Sequence, residues 1–192
     1  MIVAFSTSSP QSSVALIETD GRLIAASQKM APMQASGACM ELLQVLLADA
    51  GRSLSETTLF AADLGPGSFT GVKVAVTLAK TLAFVQGVQV IGADSFDLIS
   101  AEKVVFLPSK KGEFFIREPG KEPYRTTTLP AEGAVGFGAT DRDTTYPLAS
   151  GFSDLKESWL PMPAEALVPN YLIEPSISLP KKPLSGVGPS HV

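Results

Sequence analysis

The segment with the clearest chemical potential is a glycine-rich loop, residues 65–71, which follows the apolar run 59–64 and precedes a second apolar run. A strand, a glycine-rich turn and a helix N-terminus can together bind an anion, because free backbone N–H groups and the helix dipole favour negative charge there. A phosphate-binding P-loop needs Gly-Lys beginning five positions after its first glycine. Counting from Gly65 places Thr70 at that position, and counting from Gly67 places Val72 there, so the loop does not match a P-loop.

A dinucleotide-binding turn, Gly-x-Gly-x-x-Gly, also fails to match, since Thr70 stands where its third glycine belongs. Two interpretations therefore stay open for the loop. It is either an anion site or a tight strand-to-helix turn that requires small residues and is capped by Ser68 or Thr70. The candidate loop residues are Gly65, Gly67, Ser68, Phe69, Thr70 and Gly71.

Other catalytic groups are scarce. The chain has one histidine, His191, in a proline-rich tail, and one cysteine, Cys39, among apolar residues. These counts exclude an intrachain disulfide and a zinc site of the Cys₄ or Cys₂His₂ type. Asp63, at the end of an apolar run, is the candidate catalytic carboxylate. The sequence predicts neither a metal nor a cofactor.

Composition indicates a packed globular protein. The chain has 192 residues, of which 45% are apolar and 18% charged, so bulk disorder is excluded. Fifteen Lys and Arg against nineteen Asp and Glu give a net charge of −4, which disfavours a large nucleic-acid footprint. The first apolar run is too short for a secretory signal, and Lys73 and Lys80 interrupt the longest one. We expect a soluble, cytoplasmic protein without membrane contact.

The elements that must position these groups follow from apolar patterning and from turn residues. The first half predicts a three-stranded meander, two long helices ending near glycines, two further strands and a short helix capped by Ser95. In chain order these are strands 2–7, 14–17 and 23–26, helix 34–50, strand 59–64, helix 68–85, strand 88–91 and helix 95–99.

The second half is more weakly patterned. It predicts short strands at 104–107 and 114–116, a strand-like segment at 134–137 and a closing helix over 164–172. Residues 118–150 are rich in Pro, Gly and Thr, and beyond Pro175 there is no apolar periodicity. We expect that tail to be extended or disordered.

The two long helices carry more apolar surface than one core contact requires. Either both are buried within the chain, or each packs one face on the core and the other on a partner. The candidate partner-interface residues are Met40, Leu43, Leu47, Val72, Lys73, Val76 and Lys80.

The loop and its surroundings resemble the TsaB (YeaZ) family. Residues 64–73 read L-G-P-G-S-F-T-G-V-K, close to the family's G-P-G-S-F-T-G-[LV]-R, and residues 79–83 resemble its A-K-G-L-A. Further segments match in the family's order, namely 12–16, 46–51, 90–96 and 169–172. The resemblance is good over residues 1–117 and faint over 160–175.

This resemblance implies an α/β fold of the actin/hexokinase-like (ASKHA, ribonuclease H-like) class, with two lobes built on mixed sheets and the second lobe reduced. The expected divisions are an N-terminal lobe over 1–101, a reduced C-terminal lobe over 102–175 and a tail over 176–192. The implied role is a non-catalytic subunit that pairs with TsaD to make N6-threonylcarbamoyladenosine (t6A37) at position 37 of tRNA.

The family also implies how such a subunit assembles. It pairs with TsaD through the two N-terminal-lobe helices, reaches the ATPase TsaE through the complex, forms a homodimer when alone and contacts tRNA only indirectly. Under this interpretation helices 34–50 and 68–85 are the pairing surface.

The departures from the family pattern favour binding over chemistry. Ser6 stands where the family usually has the aspartate that lies near nucleotide phosphates, and Lys73 replaces an arginine, which loses the planar fork. Residues 108–113 lack the aspartate of the family's D-A-R-x-G-E. The alternative is a stand-alone ASKHA-type phosphotransferase or glycoprotease-like enzyme, whose support is the glycine loop and Asp63.

Overall fold

The fold is known from a computed structural model that describes residues 1–130 and 132–172. The predictions for the tail, residues 176–192, and for His191 lie outside the described residues.

A five-stranded mixed sheet forms the first lobe, with the strand order β3-β2-β1-β4-β5. The first three strands are the predicted antiparallel meander, and β4 and β5 run parallel to β1. The third strand is longer than expected, because it stays paired with β2 as far as Met30. The strands are β1 (Ile2–Ser6), β2 (Gln11–Ile17), β3 (Leu23–Met30), β4 (Leu59–Asp63) and β5 (Gln89–Ala93).

Three α-helices are found in residues 1–130 and 132–172: α1 (Ala35–Asp49), α2 (Phe69–Gln86) and α3 (Ser95–Ile99). Each long helix agrees with its predicted range to within about a residue at either end. Each is followed by a glycine in the left-handed region, Gly51 at φ 62° and Gly87 at φ 67°, as helix C-termini commonly are. By length and composition alone, α2 is apolar enough to cross a bilayer; its buried residues pack in the first lobe's core.

The two faces of the first sheet are covered differently. Alternate strand residues such as Val3 and Phe5 face a core completed by α1 and α2. Their neighbours, such as Ile2 and Ala4, face a second core with α3 and Phe152. This alternation follows from the two-residue period of a strand. The first sheet is therefore sandwiched between two layers.

A four-stranded mixed sheet, in the order β8-β7-β6-β9, forms the second lobe. The strands are β6 (Val105–Pro108), β7 (Phe114–Arg117), β8 (Tyr124–Thr126) and β9 (Val135–Gly136). Three of them match the predicted segments. Strand β8 was not predicted, because it is three residues long and lies in a polar stretch with only Tyr124 as an aromatic residue.

The chain then returns to the first lobe, which corrects two expectations. Residues 149–167 pack on the first sheet, whereas the expected division assigns them to the C-terminal lobe over 102–175. Met162 forms an antiparallel bridge to Val90 beside the edge of the first sheet. The expected closing helix over 164–172 is wrong, since only Ala164–Ala166 form a 3₁₀ turn. Pro169 disfavours helical geometry at the residue before it. The other 3₁₀ turns of this half span Ala149–Ser153 and Lys156–Ser158.

Candidate functional site

The glycine loop packs directly against the turn that joins β1 to β2. The backbone N–H of Ser68 donates to the carbonyl of Ser8 at 2.7 Å. A Cβ added at Gly67 would lie 2.3 Å from that same oxygen, and one at Gly71 would lie 1.9 Å from the carbonyl oxygen of Thr7. Both glycines are therefore required for close approach of two backbone segments.

The polar groups of the loop bond within the chain. Ser68 caps α2 by accepting from the N–H of Gly71 at 3.3 Å, as predicted for one of the two candidate caps. The Thr7 hydroxyl donates to the carbonyl of Gly71 at 2.6 Å and accepts from the N–H of Ala75 at 3.1 Å. This geometry favours the tight-turn interpretation of the loop over the anion site.

Asp63 lies at the centre of a buried cluster at the end of β4. Its Oδ2 accepts from the hydroxyls of Ser6 at 2.7 Å and Ser8 at 2.5 Å. Its Oδ1 accepts from the Ser95 hydroxyl at 2.6 Å and from the Gly65 N–H at 2.9 Å. The carboxylate thus has four donors, two on each oxygen.

Burial controls the ionisation of Asp63. Loss of hydration raises the pKa of this carboxyl, and the hydrogen bonds from Ser8, Ser95, Ser6 and Gly65 oppose the rise. The side chain has no solvent-exposed surface, so a substrate has no access to it in this structure. The proposed catalytic carboxylate is a packed structural group.

Two serines of this cluster have roles that the sequence did not reveal. Ser95 was expected to cap α3, but its hydroxyl bonds to Asp63. Asp94, which directly precedes α3, makes no side-chain capping bond to the helix and accepts from the side-chain amide of Asn170 at 3.1 Å. Ser6, at the position of the family's aspartate, also approaches the carbonyl of Pro147 at 2.9 Å. The partners are far apart in sequence, so no local motif could indicate them.

The structure divides the predicted partner-interface residues into two groups. Leu43, Val72 and Val76 lie in the chain's own core, with exposures of 1%, 1% and 5%, so their inclusion in an exposed surface is corrected. They face the sheet, and a stripe at helical spacing fits this inner face as well as it fits an outer one.

The remaining predicted interface residues reach the surface to different degrees. Met40 and Leu47 are half-buried on α1. Lys73 is exposed, with its ammonium 3.8 Å from the ring centre of Phe69. Lys80 donates to the backbone carbonyls of Glu165 and Leu167 at 3.2 and 3.0 Å. Lys80 therefore anchors the returning chain segment to α2.

Apolar side chains that the prediction omitted are exposed on both long helices. Val45 on α1 is 52% exposed, and Phe84 and Val85 near the end of α2 are 82% and 75% exposed. Phe69 begins α2 and lies 5.0 Å, centre to centre, from the ring of Tyr171. All of them lie outside the buried stripe of their helix, and that position is the signal that could have identified them.

Burial raises the pKa of Cys39 to about 12, so this thiol is not a nucleophile at neutral pH. A cavity of about 410 Å³ lies beside the starts of α1 and α2. The hydroxyls of Thr7 and Ser9 in its wall are bonded to the carbonyls of Gly71 and Gln11. Among residues 1–130 and 132–172, no three His, Cys, Asp or Glu side chains are grouped to hold a metal.

Comparison with known proteins agrees with this architecture. Residues 25–110 match the model of the family described as TsaD, tRNA N6-adenosine threonylcarbamoyltransferase. No curated protein sequence matches the chain. Two solved structures from Pseudomonas aeruginosa are similar at 20% identity and a TM-score of 0.73: YeaZ, and an uncharacterized protein with similarity to peptidase YeaZ.

The two structural similarities extend over most of the chain. The two solved structures match 89–90% of this chain and 99% of their own. They confirm the expected α/β class with mixed sheets and an actin/hexokinase-like fold. The chain therefore has the fold of YeaZ (TsaB), and its residues 25–110 carry the sequence pattern of the TsaD family.

Proposed function

We propose that this chain is a divergent TsaB-type protein that serves as a non-catalytic partner of a TsaD-type transferase. Together they would form N6-threonylcarbamoyladenosine in cytoplasmic tRNA. The observation that carries the proposal is a YeaZ fold over nine-tenths of the chain together with a TsaD-family segment at residues 25–110. The site supports binding over chemistry, because the glycine loop and Asp63 bond within the chain.

The outer faces of α1 and α2 are the proposed pairing surface. Val45, Phe84 and Val85 are exposed there, and Lys73 adds a positive charge. Exposed apolar side chains on neighbouring helices suit burial against the helices of a partner. In the proposed assembly TsaE and tRNA are reached through TsaD, and without TsaD two copies of this chain pair through the same surface.

The stand-alone enzyme is the weaker alternative. It requires a carboxylate that reaches substrate, and Asp63 is enclosed by Ser6, Ser8 and Ser95. It also requires loop donors directed at a ligand, and the N–H groups of Gly65 and Ser68 donate to Asp63 and to the Ser8 carbonyl. Calorimetry with ATP and Mg²⁺ tests it, and tight binding with turnover would revive it.

Size-exclusion chromatography of the full chain mixed with TsaD from the same source tests the pairing. We expect a complex at micromolar concentration. Phe84→Glu and Val45→Glu should each abolish it, because a charge buried at an interface costs roughly 2 kcal/mol or more. Both side chains are largely exposed, so the isolated chain should keep its thermal unfolding midpoint.

Tyr124→Glu is the matched control, since Tyr124 is an exposed aromatic residue on β8 of the second lobe, away from both helices. It should leave the complex intact. Absence of a complex with the parent chain would contradict the proposal, and loss of the complex in the Tyr124 variant alone would move the surface to the second lobe.

A further inference from the structure

Within residues 1–130 and 132–167 the chain passes between the lobes twice, and both passages lie beside Asp63. The outward passage begins with α3, where Leu98 packs in the first lobe while Phe96 and Ile99 pack in the second. The return passage reaches the first lobe at Ala149, whose N–H donates to the Ser13 hydroxyl at 2.8 Å.

Each passage is hydrogen-bonded to the ends of the first lobe's central strands. On the outward passage, Ser95 donates its hydroxyl to Asp63 at 2.6 Å and its N–H to the carbonyl of Gly65 at 2.7 Å. On the return passage, the Ser6 hydroxyl shares its single proton between the carbonyl of Pro147 at 2.9 Å and Asp63 at 2.7 Å. A single buried carboxylate and its serines thus connect both passages to β1 and β4.

The second lobe holds the other end of α3. Arg117 on β7 forms an ion pair with Asp97 at 2.9 Å and donates to the carbonyl of Ser100 at 2.5 Å. The segment of α3 is therefore hydrogen-bonded to the first lobe through Ser95 and to the second lobe through Asp97 and Ser100. Five residues of helix therefore connect Ser95 to the contacts with the second sheet.

We propose that Ser6, Ser8, Asp63 and Ser95 form an interlobe latch that fixes the orientation of the second sheet relative to the first. Hydrogen bonds to a buried carboxylate are directional and stronger than bonds between neutral groups. Removing the acceptor leaves buried donors unpaired, and the passages gain freedom. The latch is independent of the proposed function.

The latch depends on hydrogen bonding more than on charge. The donors to Oδ2 are hydroxyls, which also accept hydrogen bonds. In Asp63→Asn, the amide N–H groups can donate to Ser6 and Ser8 while the Ser6 hydroxyl donates to Pro147. In Asp63→Ala the side chain can form none of these hydrogen bonds. If the hydrogen bonds hold the lobes, only the alanine variant should be affected; if the charge is required, both variants should be.

The distance between two spin labels tests the proposal on the full chain. Gln44→Cys on α1 and Lys111→Cys between β6 and β7 are exposed labelling sites, one on each lobe. Cys39 remains unlabelled, because it is buried and its pKa is about 12. We expect a narrow distance distribution for the parent and for Asp63→Asn, and a broadened or shifted one for Asp63→Ala.

Hydrogen exchange supplies a second readout should Asp63→Ala fail to fold. Ser95→Ala should accelerate exchange in 95–99, and Ser6→Ala should accelerate it in 145–149, by about tenfold or more for the loss of a hydrogen bond to a charged group. Exchange in the interior of either sheet should stay unchanged.

Thr7→Val is the matched control, because Thr7 lies between Ser6 and Ser8 and points to the opposite face, where it bonds α2. It should leave the label distance and both passages unaffected. The proposal is overturned by a narrow, unchanged distribution in Asp63→Ala, by unchanged exchange in both serine variants, or by an equal response to Thr7→Val.

Discussion

The two long helices of the first lobe begin in contrasting ways, although both pack on the same face of the sheet and both have glycine as their third residue. Helix α2 is anchored by the Ser68 cap and by the Thr7 hydroxyl, which donates to the Gly71 carbonyl and accepts from the Ala75 N–H. Helix α1 follows Met33, which is fully exposed at φ 65°, and within the described chain the Gln34 side chain makes no capping hydrogen bond.

The contrast shows that one residue type can serve different purposes at equivalent positions. A Cβ at Gly71 would collide with the Thr7 carbonyl, whereas one at Gly37 would meet no atom of the described chain within 4 Å. Glycine at 71 lets two backbone segments touch. Glycine at 37 makes no such contact. It increases the conformational freedom of the unfolded chain, which disfavours the helix.

Of the substitutions that test this contrast, Gly71→Ala should have the largest effect on the free energy of unfolding. The added methyl would sit 1.9 Å from the Thr7 oxygen, so the start of α2 must move away from β1. We expect a loss of about 3 kcal/mol in the free energy of unfolding, the upper range for overpacking. Urea denaturation measures it, and a loss no larger than that of an exposed-site substitution would show that the loop adapts.

Thr7→Val should have the next largest effect. The valine keeps the shape but removes the hydroxyl that bonds Gly71 and Ala75. Because the buried Gly71 carbonyl and Ala75 N–H lose their partner, we expect the free energy of unfolding to fall by about 1–2 kcal/mol. The same denaturation measurement applies, with Thr58→Val as a control at a hydroxyl that is only partly buried. Equal losses in both variants would indicate that the anchor contributes nothing specific.

The Asp63 side of the loop should produce a smaller, pH-dependent effect. The raised pKa of Asp63 means that the folded chain binds a proton more readily than the unfolded chain. Stability contributed by this proton is complete below the unfolded value near 3.8 and is lost as pH rises through the folded pKa. Relative to Asp63→Asn, the parent should therefore become more stable as pH falls from neutral towards 4.

Denaturation of the parent and of Asp63→Asn across this pH range measures the difference in their free energies of unfolding. The contributions of the other carboxyls are common to both proteins and cancel in this difference, including that of Asp94, whose pKa is also raised by burial. A parent that loses stability relative to the variant on acidification would show that the hydrogen bonds outweigh burial.

Gly37→Ala should have the smallest effect and the opposite sign. Alanine favours helix over glycine, and nothing obstructs its methyl group. We expect a gain of about 0.5–1 kcal/mol, measured by the same denaturation. A loss would show that the start of α1 has a tight contact comparable to that of α2.

Local signals in the sequence were sufficient for much of the first lobe. The meander and both long helices follow from the spacing of apolar residues and from the glycines near their ends, and the cap follows from Ser68 at the start of α2. Each of these signals lies within a few residues of the element that it predicts. The family motif then indicated the mixed-sheet architecture. These are features that short-range physics determines.

The site itself could not be derived in this way. Asp63 takes its partners from positions 57, 55 and 32 residues away, so its role depends on two strands, the turn after β1 and a helix being brought together. Interface residues were partly misassigned, because an apolar stripe does not indicate which side of a helix faces the sheet. The 3₁₀ turns after Ala149 lack the length that periodicity requires.

The return of residues 149–167 has a consequence for the order in which the protein can fold. The face of the first sheet that contains Ile2, Ala15 and Ile91 is covered by Ala149 and Phe152. A ribosome that has delivered the first hundred residues has made every strand of this sheet, but not the segment that covers its second face. The first lobe is thus continuous in sequence up to β5 and yet reaches its native packing only once the second lobe has been synthesised.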